Sequence, residues 1–343
     1  MRILVTGSSG YFAGVLIPVL LQGGHDILGL DKEPSQINDP NYDEILLDLL
    51  DNDRLFQVLE NETFDAIIHL ASEIDFAVRS QKSLFRNNVQ MVKNLVELSS
   101  KRSLRSFVFT SSNSIFLGNP DEVIQNHMVP QPIDEYGKSK LEIEKILTQT
   151  LPSCPLQIVR CPNIVDAGRV GMLSILYELL KNDANLWVIG DGSVRHQTIF
   201  AKDLAVYILH ALDLKTSNTV NIGSTNVPTF RETFERVAAA AGSKSKVRRI
   251  PKFLAIAALR ASHRLGLSPL GPYQFRMLTQ SFQFAQDWTK LPFPWKPTKT
   301  NVEMLVLAYE HYISSSTNQA SKGSANSKPV KFGILKILRF LKW

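Results

Sequence analysis

Cysteine is nearly absent from this chain: Cys154 and Cys161 are the only two in 343 residues. Two thiols are too few for a disulfide framework. No cluster of histidines accompanies them, so a metal site is not expected, and they read as ordinary thiols in a reducing compartment. No uncharged apolar run reaches the ~18 residues that a membrane-spanning helix needs. No secretory leader is expected, because Met1–Thr6 reads straight into a strand and a glycine turn. Charged residues make up 20% against 44% apolar, which excludes global disorder and suits one large domain or two intimate ones. The body has almost no net charge. The formal balance is +6, but Lys328, Lys331, Lys336, Arg339 and Lys342 crowd the last stretch without an acid, and the remaining 33 basic residues face 32 acidic ones. A nucleic-acid-binding body is therefore not expected, and no nucleic acid is counted among the partners.

What is present is alternation. Ile3–Val5, Asp26–Leu30, Ala66–Leu70, Ser106–Thr110 and Leu156–Arg160 are short apolar runs that read as buried parallel strands. EILLDLL (44–50) reads as another strand, third in order. Helical patterns over Gly14–Gln22, Asn87–Ser100 and Tyr136–Gln149 separate the runs. This spacing predicts an α/β fold: a Rossmann-type doubly wound parallel sheet with a smaller C-terminal substrate lobe. The expected division is 1–165 for the dinucleotide-binding domain and 166–313 for the lobe, with segments returning to the core. In the lobe, Gly171–Leu180 and Phe230–Ala241 look helical, Thr198–Phe200 and Thr219–Ile222 look like strands, and Lys252–Leu265 looks like an apolar helix. Residues 314–327 (SSSTNQASKGSANS) read as a flexible linker, and 328–343 as a basic amphipathic tail.

The opening MRILVTGSSGYFAG places glycines between a strand and a helix. Gly7 allows a tight turn, and Gly10 lets backbone approach a pyrophosphate lying at the helix N-terminus, where free N–H groups and the helix dipole favour negative charge. Asp31 ends the second strand in ILGLDK, where a carboxylate accepts from ribose hydroxyls and repels a 2′-phosphate; NAD is the expected cofactor. Asp48 and Leu49 are candidates for the adenine, the alternative for Asp48 being that it begins the next helix. Leu70 and Ala71, after His69, are candidates for the nicotinamide half, while His69 itself reads as a packed strand-end residue.

DEYGKSK (134–140) puts Tyr136 and Lys140 on one face of a helix start. A tyrosine in water gives up its proton only at a pH of about 10, so it is a poor base at neutral pH. A neighbouring ammonium stabilises the phenolate and brings its proton affinity into a useful range. FVFTSSNS supplies Ser112 to hold a substrate oxygen, with Ser111 and Ser114 as alternatives. Asn88, in RNNVQ, either holds a helix kink or water behind Lys140 or is a surface amide.

TGSSGYFAG, Asp31, HLAS, Asn88-Val89, TSSNSIF, YGKSK and RCPNIV together resemble, in this order, the extended short-chain dehydrogenase/reductases. That family includes UDP-galactose 4-epimerase and epimerases of polyprenyl-diphosphate-linked sugars. GDGSVRHQTIFAKDLA and VNIGS extend the likeness, which covers roughly residues 1–313. The resemblance implies a sugar 4-epimerase that oxidises its substrate transiently, with a 4-keto-sugar reductase or hydroxysteroid-dehydrogenase-like oxidoreductase as the alternative. It also implies cofactor contacts from Ser9, Tyr11, Phe12 and Pro162, substrate contacts from Ser114, Asn163, Arg195 and His196, and a homodimer. Two departures are informative. Asn113-Ser114 stands where dehydratases carry Asp-Glu, which argues against dehydration. His196 stands where sugar-nucleotide members place a diphosphate-binding Arg, and the second such Arg, upstream of Asp287, is not evident; this points towards a lipid-linked substrate. The tail KPVKFGILKILRFLKW suits either an anionic membrane surface or packing on the body or another subunit. The expected location is cytoplasmic, peripheral at the inner face of the membrane.

Overall fold

A computed structural model of the chain describes residues 1–74, 81–119, 123–151, 153–255, 257 and 272–315. It divides into two compact units that the chain visits in turn. One holds Met1–Pro162, Ala201–Gly223 and Phe284–Lys296; the other holds Asn163–Phe200 and the described parts of Ser224–Gln283 and Pro297–Trp343.

The first unit is a seven-stranded parallel sheet. Its strands are β1 (Arg2–Thr6), β2 (Asp26–Asp31), β3 (Tyr42–Leu46), β4 (Ala66–His69), β5 (Ser106–Ser112), β6 (Leu156–Cys161) and, much later in the chain, β10 (Asn218–Asn221), in the spatial order β10-β6-β5-β4-β1-β2-β3. The interior strands are mostly apolar because helices cover both faces of such a sheet, with Arg160 in β6 as an exception. The helices here are α1 (Ala13–Gln22), α2 (Asn52–Leu59), α3 (Gln81–Ser100), α4 (Glu135–Thr150) and α6 (Ala201–Ala211). α3 packs on α4, and α6 packs on α1. One continuous core joins Leu4, Leu28, Ile67, Phe107 and Ile158 to Val92, Leu95, Ile143 and Leu147 of α3 and α4. Chain order reverses direction between β1 and β4. Ligands of open α/β sheets bind in the crevice that opens at such a point, outside the carboxyl ends of the strands.

The third strand lies earlier than EILLDLL implied. It ends at Leu46 and is half exposed at the sheet edge, while Leu47 and Leu49 are buried in the turn that follows. That turn leads into α2, a helix the apolar pattern did not announce. It is capped by Asp51, whose carboxylate accepts from the Arg54 N–H at 3.2 Å.

The second unit contains β7 (Asn163–Val165) paired with β9 (Thr198–Phe200), and β8 (Leu186–Ile189) paired with β11 (Val247–Ile250). Around them lie α5 (Leu173–Lys181), α7 (Phe230–Ala240) and the helices Pro272–Thr279 and Asn301–Ser315. Tyr177, Leu180, Val237, Met304 and Ala308 form its core. The last helix runs into the stretch read as a linker: the hydroxyls of Ser314 and Ser315 donate back to the His311 carbonyl at 3.0 and 2.7 Å, so helix continues to Ser315. The remainder of 314–327 and the whole tail 328–343 lie outside the described residues. Of the apolar helix read over Lys252–Leu265, only 252–255 and 257 are described, and they are helical. No helix among the described residues is long and apolar enough to cross a membrane.

Candidate active site

Gly7 follows β1 with φ +76°, a conformation that favours glycine. A Cβ there would lie 2.7 Å from the Ala71 backbone nitrogen, so the turn after β1 presses against the loop after β4, where Leu70 and Ala71 sit. The Gly10 N–H donates to the Gly7 carbonyl at 3.0 Å and closes the turn. α1 then starts from Phe12 with no side-chain cap and no acid in its first turn. The Gly14 and Val15 N–H groups donate to the Gly10 and Phe12 carbonyls at 3.1 and 3.0 Å, so what the helix start offers an anion is the positive end of its dipole. Tyr11 and Phe12 flank this helix start. Asp31 ends β2 beside the turn, and its carboxylate accepts from the backbone N–H groups of Ser9 at 3.1 Å and Glu33 at 3.2 Å. The glycine cradle, the uncapped helix start and the strand-end carboxylate fit a dinucleotide. Asp48 is exposed and bonds the Leu50 N–H at 3.0 Å, while Leu49 is buried and its carbonyl accepts from Asn94 at 2.8 Å.

Lys140 and Tyr136 share a face of α4, as their spacing requires. Asp134 caps the helix by accepting from the Gly137 N–H at 2.6 Å. Lys140 is 3% exposed, an unusual degree of burial for an ammonium. Its Nζ donates to the Thr110 carbonyl at 3.1 Å and lies 4.8 Å from the Phe109 ring centre and 5.5 Å from that of Tyr136. Burial pushes its pKa down to about 8, against the opposing fields of Cys161 and Glu144. Ser112, at the end of β5, accepts from Ser114 N at 3.1 Å and from Ser114 Oγ at 2.9 Å. A hydroxyl has two acceptor positions and one proton; both acceptor positions are filled, so what Ser112 has left to offer is its proton. A Cβ at Gly137 would stand 2.6 Å from the Ser114 carbonyl, which shows how tightly the first turn of α4 meets the turn carrying Ser114. Tyr136, Lys140, Ser112 and Ser114 therefore meet at the carboxyl end of the sheet.

Asn88 is buried and works as a clamp. Its Oδ1 accepts from Glu73 N at 2.7 Å, and its Nδ2 donates to the Glu73 carbonyl at 3.1 Å and to Ser139 Oγ at 3.3 Å. Both amide protons are thereby used in fixing the loop after β4 to α4. His69 is a packed strand-end side chain, bonded to Thr6 Oγ1 at 2.7 Å and stacked on Phe109; burial pushes it down to about 3, so it is neutral. Both cysteines are free and buried. Pro162, also in this unit, is buried just after β6. Asn163, Arg195 and His196 belong to the other unit. Asn163 is exposed at the start of β7. Arg195 donates to the Val227 carbonyl and pairs loosely with Glu232 at 3.9 Å. His196 stacks on Phe230, meets the edge of Phe282 and bonds the Gln280 carbonyl at 3.0 Å; burial pushes it down to about 4. Among the described residues, no group of three or more His, Cys, Asp or Glu is placed to hold a metal ion.

Sequence reasoning missed Glu144 and Arg160, a buried ion pair whose carboxylate lies one helical turn beyond Lys140. An arginine inside the apolar strand LQIVRC was the available signal, because a charge in such a place needs a partner.

The chain resembles known proteins at three levels. Residues 3–223 match the NAD dependent epimerase/dehydratase family. Among relatives, it is 28% identical over 341 residues to an uncharacterized protein, y4nG, of Sinorhizobium fredii, covering 98% of this chain and 85% of that one. It is 26% identical over 249 residues to a putative UDP-glucose 4-epimerase of Methanocaldococcus jannaschii, covering 68% and 80%. Among solved structures, a UDP-glucose 4-epimerase of Thermotoga maritima with UDP-glucose superposes with a TM-score of 0.76 at 18% identity, covering 92% of this chain and all of that one, a likeness of fold. With the family match running from β1 through β10, the glycine turn and the Tyr136–Lys140 helix all inside it, the chain belongs to the NAD dependent epimerase/dehydratase family.

Proposed function

We propose that the protein is a sugar 4-epimerase that works through a transient 4-keto intermediate, on a nucleotide-linked or polyprenyl-diphosphate-linked sugar used in surface polysaccharide synthesis. The observation that carries this reading is the buried ammonium of Lys140 beside the Tyr136 ring, at the end of a strand that presents Ser112. Relatives named UDP-glucose 4-epimerase support the reaction class.

Gly7, Gly10, the start of α1 and Asp31 would hold NAD, which supplies reversible hydride acceptance when bound. Ser112 donates its proton to the sugar hydroxyl oxygen and orients it. Tyr136, as phenolate, accepts the hydroxyl proton and later returns a proton to the keto oxygen, once the sugar has turned to offer its other face for reduction. Lys140 keeps the phenolate accessible near neutral pH by placing a positive charge next to it. The clamp from Asn88 to Ser139 keeps this helix turn from shifting.

His196 and Arg195 bear on the carrier's diphosphate. A histidine held near pKa 4 carries no charge at neutral pH, and Arg195 is engaged by Val227 and Glu232. A diphosphate is common to both carriers, so these two residues do not choose between them; the basic tail is what favours the lipid-linked one within this proposal. The tail 328–343 would bring the protein to that carrier by docking on an anionic membrane surface.

Purified protein should contain NAD by mass spectrometry and should interconvert 4-epimers with no cofactor added. Nucleotide-linked and polyprenyl-diphosphate-linked sugars, assayed side by side, identify the carrier. Strict dependence on added NADPH, with a stoichiometric absorbance change, would replace this reading with a net reductase. Removal of 328–343 should shift the protein from the membrane to the supernatant fraction; unaltered partitioning would end the membrane part of the proposal.

A further inference from the structure

We propose that the buried Glu144–Arg160 ion pair, tied down by Ser111, is the positioning device of this site: it locks α4 to β5 and β6 and holds a carboxylate one helical turn beyond Lys140. This rests on the reading of Tyr136, Lys140 and Ser112 given above.

Glu144 lies one turn beyond Lys140, both buried on one stripe of α4, and two turns beyond the half-buried Tyr136. Its carboxylate accepts from Ser111 Oγ at 2.5 Å, from Arg160 Nε at 3.0 and 3.2 Å, and from Arg160 Nη2 at 2.6 Å. The two side chains are 6% and 13% exposed, so solvent screens the pair little. Ser111 precedes Ser112. Arg160 precedes Cys161 and Pro162, and its guanidinium lies 5.4 Å from the ring of Phe116, in the same short helical turn as Ser114. Every segment that carries a candidate catalytic side chain is thus attached to this one pair.

A fork-to-fork geometry fixes both distance and angle, which a hydrophobic contact does not. Stability alone is a poor reason for the pair, since well-packed apolar residues of similar volume often serve a core as well or better. The charges around Lys140 suggest a second reason. Tyr136 and Glu144 face it from its own helix, Cys161 from β6 and His69 from β4. The Cys161 thiol is pushed up to about 12 by burial and His69 down to about 3, so both are neutral near pH 7. Among these groups, Glu144 is the carboxylate, and it is paired with the Arg160 guanidinium at 2.6 Å, which offsets part of its field. It opposes the burial that pushes the Lys140 ammonium towards losing its proton. Without this carboxylate the ammonium would be lost at lower pH. The Tyr136 phenol, with its phenolate less supported, would keep its proton to higher pH. The working window would narrow from both sides.

The test compares pH profiles of kcat and KM for the NAD-loaded wild type, Glu144→Gln, the double variant Glu144→Leu with Arg160→Met, and Ser111→Ala. Glu144→Gln should lose about 10- to 100-fold in kcat at pH 7, the scale expected of a small misplacement, with bound NAD retained and both pH limbs moved inward. The double variant removes both charges and fills the space, so it should fold even if the single one does not, and should show the same narrowing. Ser111→Ala keeps both charges and should lower kcat severalfold with KM and the pH limbs unmoved. Wild-type profiles and kcat in the double variant would show the pair to be scaffolding only, as would wild-type kcat in Ser111→Ala for the positioning half. Full activity in Tyr136→Phe would instead overturn the catalytic reading on which this one stands.

Discussion

Replacing Tyr136 by Phe is expected to lower kcat by about 10²- to 10⁴-fold, the usual contribution of a positioned acid–base group. The ring remains, so packing beside Lys140 is kept and melting temperature should move little. NAD should stay bound, because the glycine turn, the start of α1 and Asp31 lie on other elements. The measurement is turnover on the identified substrate together with NAD content by mass spectrometry. A kcat within about tenfold of wild type would mean that another group moves the proton.

Gly7→Val should do the opposite, removing the cofactor before any question of chemistry arises. At φ +76° a branched side chain is strained, and its Cβ would stand 2.7 Å from Ala71 N, where the neighbour is backbone and cannot rotate aside. Strain costs about 1–3 kcal/mol and forced overpacking a similar amount. The loops after β1 and β4 must separate, which deforms the crevice that Asp31 borders. Purified protein should therefore carry little or no NAD and melt earlier. Full NAD occupancy would show that the pyrophosphate is not held at this turn.

Much of the first unit is legible in the sequence, because its strands are short apolar runs covered on both faces. β3 is the exception. At the edge of the sheet its Tyr42–Leu46 is half exposed, so the apolar run just after it drew the assignment forward. The second unit reads less clearly. β8 and β11 are four residues each and depend on each other across the chain. The helix Asn301–Ser315 had a local sign: Thr300 and Glu303 form reciprocal bonds at its start, the S/T-x-x-E pattern of a capping box. At the site, Tyr136 and Lys140 were legible because helix geometry alone brings them together. Glu144 and Arg160 were not, because they meet only when α4 packs on β6. Gly137 in YGKSK looks like a neutral small residue until the Ser114 carbonyl is seen 2.6 Å from where its Cβ would be.

The winding of the chain between its units restricts how such an enzyme can diversify. α6, which covers α1, and β10, which completes the sheet beside β6, are encoded after the first visit to the other unit. A single recombination crossover near residue 165 would transplant a donor's α6 and β10 along with its second unit, and those elements would have to fit a foreign α1 and β6. The second unit is therefore easier to alter by local change within 163–200 and 224–283 than by wholesale exchange of a gene segment.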